Sequence, residues 1–308
     1  MNEMAILTNG LNKVFGDFCA VNDLSIHVPR GAVYGFLGKN GAGKTSTIKI
    51  LLGLAKPTSG SAQVLGMDVQ EQKVAILQRT SFVSERKSLY STLTPTELVR
   101  FTRGFYPTWS DAKAKKYADV LEIPMNQRFG KLSHGNQTKV CLLLAFSQGA
   151  DLLIMDEPTV GLDPVVVDQL LRILIEDAVT EGCTIFFSSH QLHEVEQIAD
   201  RFGVIDQGKL LLEANLEDVK AEFRLIIAAG NSLPMQKTSQ VLSVIVDGQF
   251  NRYVVRSNAD GFLAELRQNG ATVNGVFPLT LREIFLELVR KEQPCTSGNV
   301  GVTLEAVL

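Results

Sequence analysis

The chain has 308 residues, a formal net charge of −3 and 20% charged residues, an ordinary globular composition with room for one large domain and a smaller one. The acidic balance, without a basic block, argues against nucleic acid as a partner. Four scattered cysteines without a C-x-x-C spacing are typical of reduced thiols in a cytosolic protein. We expect no signal peptide, and the longest strongly apolar run, residues 140–146, is too short to cross a bilayer. Any membrane role is therefore expected to act through a partner.

An aromatic residue lies at the first predicted turn. Phe15 falls between two strands expected within residues 4–30. A ring at this place either stacks on an adenine base or packs as an ordinary core residue. The local sequence does not separate these two interpretations.

One stretch carries a specific nucleotide-binding pattern. The sequence GKNGAGKT at residues 38–45 fits the P-loop pattern G-x-x-x-x-G-K-[ST]. Residues 32–37 predict a buried strand before it, and residues 46–52 predict a helix after it. Glycines let such a loop turn its N–H groups towards an anion, and the helix aims its positive end at the same place. The expected phosphate-binding residues are Gly38, Lys39, Asn40, Gly41, Ala42, Gly43, Lys44, Thr45 and Ser46.

The pattern assigns roles to two of these side chains. Lys44 is expected to reach the β- and γ-phosphates, and Thr45 to hold Mg²⁺ through its hydroxyl. The competing interpretation is a glycine-rich turn without a ligand, which the flanking strand and helix disfavour.

Residues 95–130 are predicted to be largely helical. Thr94 suits the N-cap, Pro95 suits the first helical position, and Glu97 completes a capping box. Because strand signals are missing here, we predict a helical subdomain at about residues 86–148, inserted into an α/β core.

Ser133 and Gly135 precede a further helix, predicted over residues 137–146. Ser133 is a good N-cap, and Gly135 leaves room for close approach. Most turns of this kind are structural, so this local pattern alone does not indicate a function.

Two more strands are predicted to end in side chains suited to phosphate chemistry. Residues 152–155 are apolar and are followed by Asp156 and Glu157. In P-loop enzymes an Asp at a strand end holds the Mg²⁺ shell, and the next carboxylate can orient or deprotonate a water. Residues 183–189 predict a buried strand that ends in His190, at the edge where α/β sheets bind ligands. The alternatives are a solvent-facing acidic turn and a capping or core histidine.

The sequence changes character at about residue 217. We predict a larger α/β domain at residues 1–216 and a small α+β domain at residues 217–308, with a loop at residues 230–234 and a loosely ordered tail after residue 292. The expected strands of the small domain are at residues 225–227, 241–246, 253–255 and 273–277, and its helices at residues 260–268 and 279–291. No chemical motif is present in it.

These segments, in this order, resemble the ATP-binding subunit of ABC transporters, in particular bacterial exporter-type ATPases, over residues 4–213. The resemblance implies an α/β P-loop ATPase core with an inserted helical subdomain. It identifies Phe15 with the aromatic that contacts adenine and Glu157 with the catalytic glutamate. His190 corresponds to the switch histidine at the γ-phosphate, and Asp163 to the D-loop.

The signature motif, which contacts ATP on the opposite chain, corresponds to Ser133, His134, Gly135 and Asn136. The C-terminal domain loosely resembles the appendage of drug- and antibiotic-exporting members.

The sequence departs from the family pattern in two motifs. The signature usually reads LSGGQ, but His134 replaces a glycine and Asn136 replaces the glutamine. The Q-loop glutamine is absent, and Glu85 lies at its position. A glutamate can still contact Mg²⁺ or a bridging water, although its charge changes the site. The expected Mg²⁺ ligands are therefore Thr45, Asp156 and Glu85.

The resemblance also implies ligands and partners. It implies binding of ATP and Mg²⁺, and hydrolysis by Lys44, Glu157 and His190. One P-loop and one signature per chain imply a homodimer, or a heterodimer with a related ATPase, that holds each ATP between two chains. A separate integral membrane permease is expected to bind the protein at the cytoplasmic side of the cell membrane, with no role for nucleic acid. Candidate contacts for this permease are Leu89, Tyr90, Phe101, Phe105 and Tyr106.

The sequence also bears on three other functions. A soluble ABC ATPase that acts on ribosomes or DNA usually has two cassettes or long coiled coils and basic surfaces, which this chain lacks. A nucleotide-gated regulatory module with little turnover stays open because of the altered signature and Q-loop. A GTPase lacks support because no N-K-x-D motif is present.

Overall fold

The computed structural model describes residues 3–230 and 240–291. The chain divides into two compact units, Met1–Val219 and Lys220–Leu308. Most of the predicted loop at residues 230–234, and the predicted tail after residue 292, lie outside the described residues.

The first unit contains two sheets and the helices that pack on them. Its strands are β1 (Met4–Phe15), β2 (Phe18–Leu24), β3 (His27–Pro29), β4 (Val33–Leu37), β5 (Ser59–Val64), β6 (Met67–Asp68), β7 (Thr80–Val83), β8 (Leu152–Asp156), β9 (Thr184–Ser189), β10 (Arg201–Asp206) and β11 (Lys209–Asn215). Its helices are α1 (Lys44–Leu51), α2 (Lys73–Arg79), α3 (Pro95–Arg103), α4 (Asp111–Val120), α5 (His134–Ser147), α6 (Pro164–Glu181) and α7 (Leu192–Ile198), and α8 (Leu216–Glu222) crosses the division between the units.

The larger sheet positions the chemistry. Its order is β11-β10-β4-β9-β8-β7, and all neighbours are parallel except β10 and β11. Every residue of β4, β8 and β9 is buried, as expected for central parallel strands covered on both faces. The carboxyl ends of these three strands therefore bring Gly38, Glu157 and His190 to one edge.

The smaller sheet is antiparallel. Its order is β2-β1-β5-β6, with β3 also paired to β1. Its inner face contributes Ile6, Leu11 and Val64 to a core shared with α1 and the large sheet. Phe15 and Phe18 face each other across the turn between β1 and β2.

The helical segment begins where the sequence predicts. Thr94 caps α3 and Glu97 closes the capping box, since the Thr94 N–H donates to Glu97 Oε2 at 2.8 Å. The signature helix α5 starts at His134, three residues earlier than predicted, because the Ser133 hydroxyl accepts from the Asn136 N–H at 3.3 Å.

The second unit contains a four-stranded antiparallel sheet of order β13-β14-β12-β15. Its core includes Ile226, Tyr253 and Phe262. The predicted strands and helices are found in the predicted order: β12 (Phe223–Ala229), β13 (Val241–Asp247), β14 (Phe250–Arg256), α9 (Ala259–Gln268), β15 (Thr272–Pro278) and α10 (Leu281–Lys291). Across the described residues of both units, no helix is long and apolar enough to cross a membrane.

Candidate active site

The loop after β4 has the geometry of an anion cradle. Gly41 and Gly43 have φ values of 82° and 111°, a backbone region that side chains with a Cβ rarely adopt. A Cβ on Gly43 would also lie 2.4 Å from the Ala20 carbonyl oxygen, and one on Gly38 would lie 2.6 Å from the Ile205 carbonyl oxygen. The glycines therefore allow both the turn and its close packing against neighbouring backbone.

A cavity of about 360 Å³ opens in front of this loop. Nine predicted site residues line it: Lys39, Asn40, Gly41, Gly43, Lys44, Thr45, Ser46, Glu85 and Glu157. Phe18 and Ala20, which the sequence analysis missed, complete the lining. The other predicted residues lie outside the lining: Phe15, Gly38, Ala42, Asp156 and His190, together with the four signature residues and Asp163.

Two aromatic residues lie at the turn between β1 and β2. Phe18 lines the cavity and is 63% exposed, whereas Phe15 is absent from the lining and is 51% exposed. The Lys13 ammonium lies over the Phe15 ring, 4.7 Å from its centroid. Phe18 is therefore a second candidate for the adenine contact predicted for Phe15.

Lys44 is buried beneath the loop. Its Nζ donates to the carbonyl oxygens of Gly38 at 2.5 Å and Lys39 at 3.2 Å, which curls the side chain back along the loop. The same ammonium lies 3.0 Å from Glu157 Oε1. Glu157 Oε1 is buried and has no hydrogen bond besides this ion pair among the described residues, so removal of Lys44 would leave a buried charge without a partner.

Glu157 connects the strand ends. Its second oxygen, Oε2, lies 2.8 Å from His190 Nδ1, so one buried carboxylate bridges Lys44 and His190. Its backbone has a φ of 49°, an uncommon conformation for a residue with a side chain that is often found at active sites. The three predicted catalytic residues are therefore brought together.

Ser188 holds the two carboxylate residues in place, and the sequence analysis did not single it out. Its hydroxyl donates to Asp156 Oδ1 at 2.7 Å and accepts from the Glu157 N–H at 3.0 Å. Ser188 is completely buried on β9, next to β8. The polar pair Ser188 and Ser189, directly after the apolar residues 185–187 of β9, is the available signal.

The predicted magnesium ligands form an oxygen-donor set. The Thr45 hydroxyl donates to Asp156 Oδ2 at 2.8 Å, and Glu85 is on the cavity wall. Hydroxyl and carboxylate oxygens beside a phosphate site suit Mg²⁺, which is usually bound by one or two protein oxygens together with water and phosphate. Within the described residues, no group of three or more His, Cys, Asp or Glu side chains is arranged to hold a metal ion. The set therefore fits an ion shared with a nucleotide, not an all-protein site.

Lys87 lies close to the turn that carries Glu85. Burial lowers the pKa of Lys87, and interactions with Cys141, Glu85 and Asp156 partly offset this effect. The Lys87 Nζ donates to the Ser84 carbonyl oxygen at 2.9 Å, which closes the turn that carries Glu85.

The signature residues lie away from this cavity. Ser133, His134, Gly135 and Asn136 form the start of α5, and none of them lines it. The His134 ring packs on Gly161, where an added Cβ would lie 2.5 Å from Nδ1. Asp163 Oδ1 accepts from the N–H groups of Val165 and Val166, both at 3.1 Å, and thereby caps α6. The signature and the D-loop are therefore neighbours within one chain.

Comparisons with known proteins agree with this geometry. A family model described as "ABC transporter" matches residues 21–160. The bacitracin transport ATP-binding protein BcrA of Bacillus licheniformis is 38% identical over 224 residues, covering 71% of this chain and 72% of the relative. The chain belongs to the ABC transporter family of ATP-binding proteins. It is thus an ATP-binding, ATP-hydrolysing subunit, as the sequence resemblance indicated.

Other relatives of this ABC ATPase extend the comparison. The daunorubicin/doxorubicin resistance ATP-binding protein DrrA of Streptomyces peucetius is 35% identical over 222 residues, covering 70% of this chain and 67% of the relative. An uncharacterized ABC transporter ATP-binding protein of Nostoc, all4389, is 27% identical over 306 residues, covering 93% of this chain and 90% of the relative. A second family model, described as "AAA domain, putative AbiEii toxin, Type IV TA system", matches residues 125–196. These relatives give no support to a soluble or purely regulatory ABC ATPase.

Solved structures share the fold of the ABC ATPase. The structure of an ATP-binding subunit of an ABC transporter superposes with a TM-score of 0.64 at 26% identity, covering 70% of this chain and 92% of that one. The dimeric ATP-binding cassette MJ0796 bound to ADP and Pi superposes with a TM-score of 0.63 at 19% identity, covering 68% of this chain and 98% of that one. The predicted fold class is confirmed.

Proposed function

We propose that the protein hydrolyses ATP in the cavity at residues 38–45, as one half of a dimer that drives a separate export permease. The observation that carries the proposal is the bridge formed by Glu157, whose carboxylate contacts both Lys44 and His190. A carboxylate held beside a phosphate loop is placed to orient the attacking water. The charged phosphates compete for Lys44, and Glu157 then keeps His190 as its partner.

The roles of the remaining residues follow from their positions. Loop N–H groups and Lys44 bind the phosphates, and His190, which contacts the cavity residue Glu157, is proposed to contact the γ-phosphate. Thr45 and Asp156 would hold Mg²⁺, together with Glu85 on the cavity wall. A bound Mg²⁺ neutralises charge on the phosphate oxygens. Catalysis on this scheme is mainly positioning and electrostatic stabilisation.

Dimerisation is proposed because the signature residues do not line the cavity of their own chain. Ser133 caps the 14-residue helix α5, which has no acidic residue in its first turn, so its positive end can face an anion. An ATP bound by one chain would then contact Ser133 and Gly135 of a second copy or of a related ATPase. The dimeric MJ0796 cassette supports this arrangement by fold likeness.

A membrane partner is proposed from the relatives and from one exposed surface. SkfE of Bacillus subtilis, 37% identical over 209 residues and covering 65% of this chain and 85% of the relative, is an ATP-binding protein of peptide export. Tyr90, Phe101 and Phe105, here called the aromatic cluster, are 60%, 46% and 62% exposed, and their rings contact edge to face. Exposed aromatic rings of this kind mark interaction sites, so we place the permease contact here, on the cytoplasmic side of the membrane.

A pull-down tests this proposal. Tagged Glu157→Gln protein is purified from detergent-solubilised membranes of the source cell with ATP present, and its partners are identified by mass spectrometry. The expected result is recovery of a multi-spanning protein in stoichiometric amount. This protein should no longer be recovered when the bait carries Phe101→Glu in addition to Glu157→Gln. Val74→Glu, at an exposed position on α2, should leave recovery unchanged. Recovery of ribosomal or chromatin proteins alone would contradict the transport proposal.

A further inference from the structure

A buried glutamate follows the switch histidine and has no role in the mechanism above. Glu194, on α7, is 1% exposed, and its Oε2 accepts a hydrogen bond from the Ser189 hydroxyl at 2.7 Å. Ser189 is itself completely buried and immediately precedes His190. The carboxylate therefore contacts the turn that carries the histidine.

The Ser189 hydroxyl ties both sides of this turn together. It accepts from the Gln191 N–H at 2.9 Å while it donates to Glu194, so the residues flanking His190 share one anchor. The Ser189 carbonyl oxygen also accepts from the Gly38 N–H at 3.3 Å. One short hydrogen-bonded path thus connects Glu194 with the histidine turn and with the first residue of the phosphate loop.

Packing alone explains Glu194 poorly. Its other oxygen, Oε1, is buried without a hydrogen-bond partner among the described residues. A buried polar atom without a partner lowers stability, and an apolar residue of similar size would avoid this cost. A carboxylate retained at such a place points to a role in the geometry of the site.

We propose that Glu194 is a positioning residue for ATP hydrolysis, which fixes the His190 ring against Glu157 through the Ser189 hydroxyl. The inference rests on the proposed role of His190. Loss of the anchor lets the histidine turn shift, and a shift of about 1 Å in a positioned group can lower turnover by up to about 10²-fold.

The test is a double-mutant cycle on the full-length chain, with steady-state ATPase activity measured for Glu194→Ala, His190→Ala and the double variant. Glu194→Ala should lower kcat about tenfold with a smaller change in the KM for ATP, because the loop N–H groups and Lys44 are proposed to supply most of the phosphate contacts. The double variant should be no slower than His190→Ala alone, because Glu194 acts through His190. Glu194→Gln should restore turnover, because its amide oxygen can still accept from Ser189. His193→Ala, at an exposed position on the same helix, is the matched control.

The outcomes separate the two proposals. Additive losses in the double variant, or a lower unfolding midpoint for Glu194→Ala with unchanged kcat, would overturn the positioning role. If Glu194→Ala does not fold, a Glu194→Gln variant as slow as His190→Ala would likewise overturn it. Wild-type turnover in His190→Ala would instead overturn the proposed role of His190 itself, and this inference with it.

Discussion

Lys44 and Glu157 form a buried ion pair, with Nζ and Oε1 3.0 Å apart, although one belongs to the phosphate loop and the other follows β8. The pair joins the residue proposed to bind phosphate to the residue proposed to orient water. Competition between ATP and Glu157 for a single ammonium provides a direct link between nucleotide binding and release of the carboxylate.

Replacement of Lys44 tests the phosphate-binding end of this link. Lys44→Ala should raise the Kd for ATP by at least about tenfold, because a charge-assisted contact worth about 1.5–3 kcal/mol is lost. A fluorescent ATP analogue titrated into the purified protein gives the Kd. Lys49→Ala, at an exposed position on the same helix, should bind normally. Near-native affinity in Lys44→Ala would contradict the assignment.

Ser188 should matter for turnover more than other buried serines. Ser188→Ala removes the link between Asp156 and the Glu157 N–H, so kcat should fall about tenfold through misplacement of the carboxylate. Ser81→Ala is a matched control on β7, since the Ser81 hydroxyl bonds to Ala145 and Gln148, which lie outside the site. Both variants should lose about 1–3 kcal/mol of unfolding free energy. Equal kcat values for the two variants would show that Ser188 has only a structural role.

The two aromatic residues at the β1–β2 turn can be distinguished by nucleotide affinity. Phe18→Ala should raise the Kd for ATP, because loss of a base–aromatic stack costs about 1–3 kcal/mol and Phe18 lines the cavity. Phe15→Ala should have a smaller effect, because its ring packs under Lys13. Isothermal titration calorimetry with ATP measures both. The reverse order would return the adenine contact to Phe15, as the family resemblance implies.

The cysteines should differ in reactivity. Burial raises the pKa of Cys141 from 9.0 to about 11, whereas Cys19 is exposed. At pH 8 the Cys141 thiolate is therefore about 100-fold scarcer than that of an ordinary thiol, and alkylation slows accordingly. Mass spectrometry after timed iodoacetamide treatment should show Cys19 modified before Cys141. The alkylation rate at Cys141 should rise about tenfold per pH unit at pH values below its pKa. Equal rates would show that Cys141 is not shielded.

Parallel strands end at a common edge of a sheet, so Gly38, Glu157 and His190 can be expected near that edge from their places at predicted strand ends. Their pairings have no signal in the sequence. The contacts of Glu157 with Lys44 and His190 depend on side-chain directions set by the packed sheet, and its positive φ has no local signal. Helix α5 starts at His134, three residues before the predicted helix, because its first turn follows directly on the Ser133 cap.

The aromatic residues at the β1–β2 turn show a similar limit. A turn can be predicted at residues 15–18, but the sequence does not say which ring reaches the cavity. Phe15 and Phe18 are paired across the two strands, so both side chains lie on one face of the hairpin, and only Phe18 is in the cavity lining. The difference comes from side-chain packing, such as the contact of Lys13 with the Phe15 ring, which residue type alone does not determine.

The most direct measurement is single-turnover and steady-state ATP hydrolysis by Glu157→Gln beside the wild-type protein, with ATP affinity measured on the same samples. The variant keeps the size of the side chain but loses the charge that holds Lys44 and orients water. We predict ATP binding at least as tight as wild type, with turnover lower by at least about 10²-fold. Turnover equal to wild type would contradict the proposal that Glu157 is the centre of the hydrolytic site.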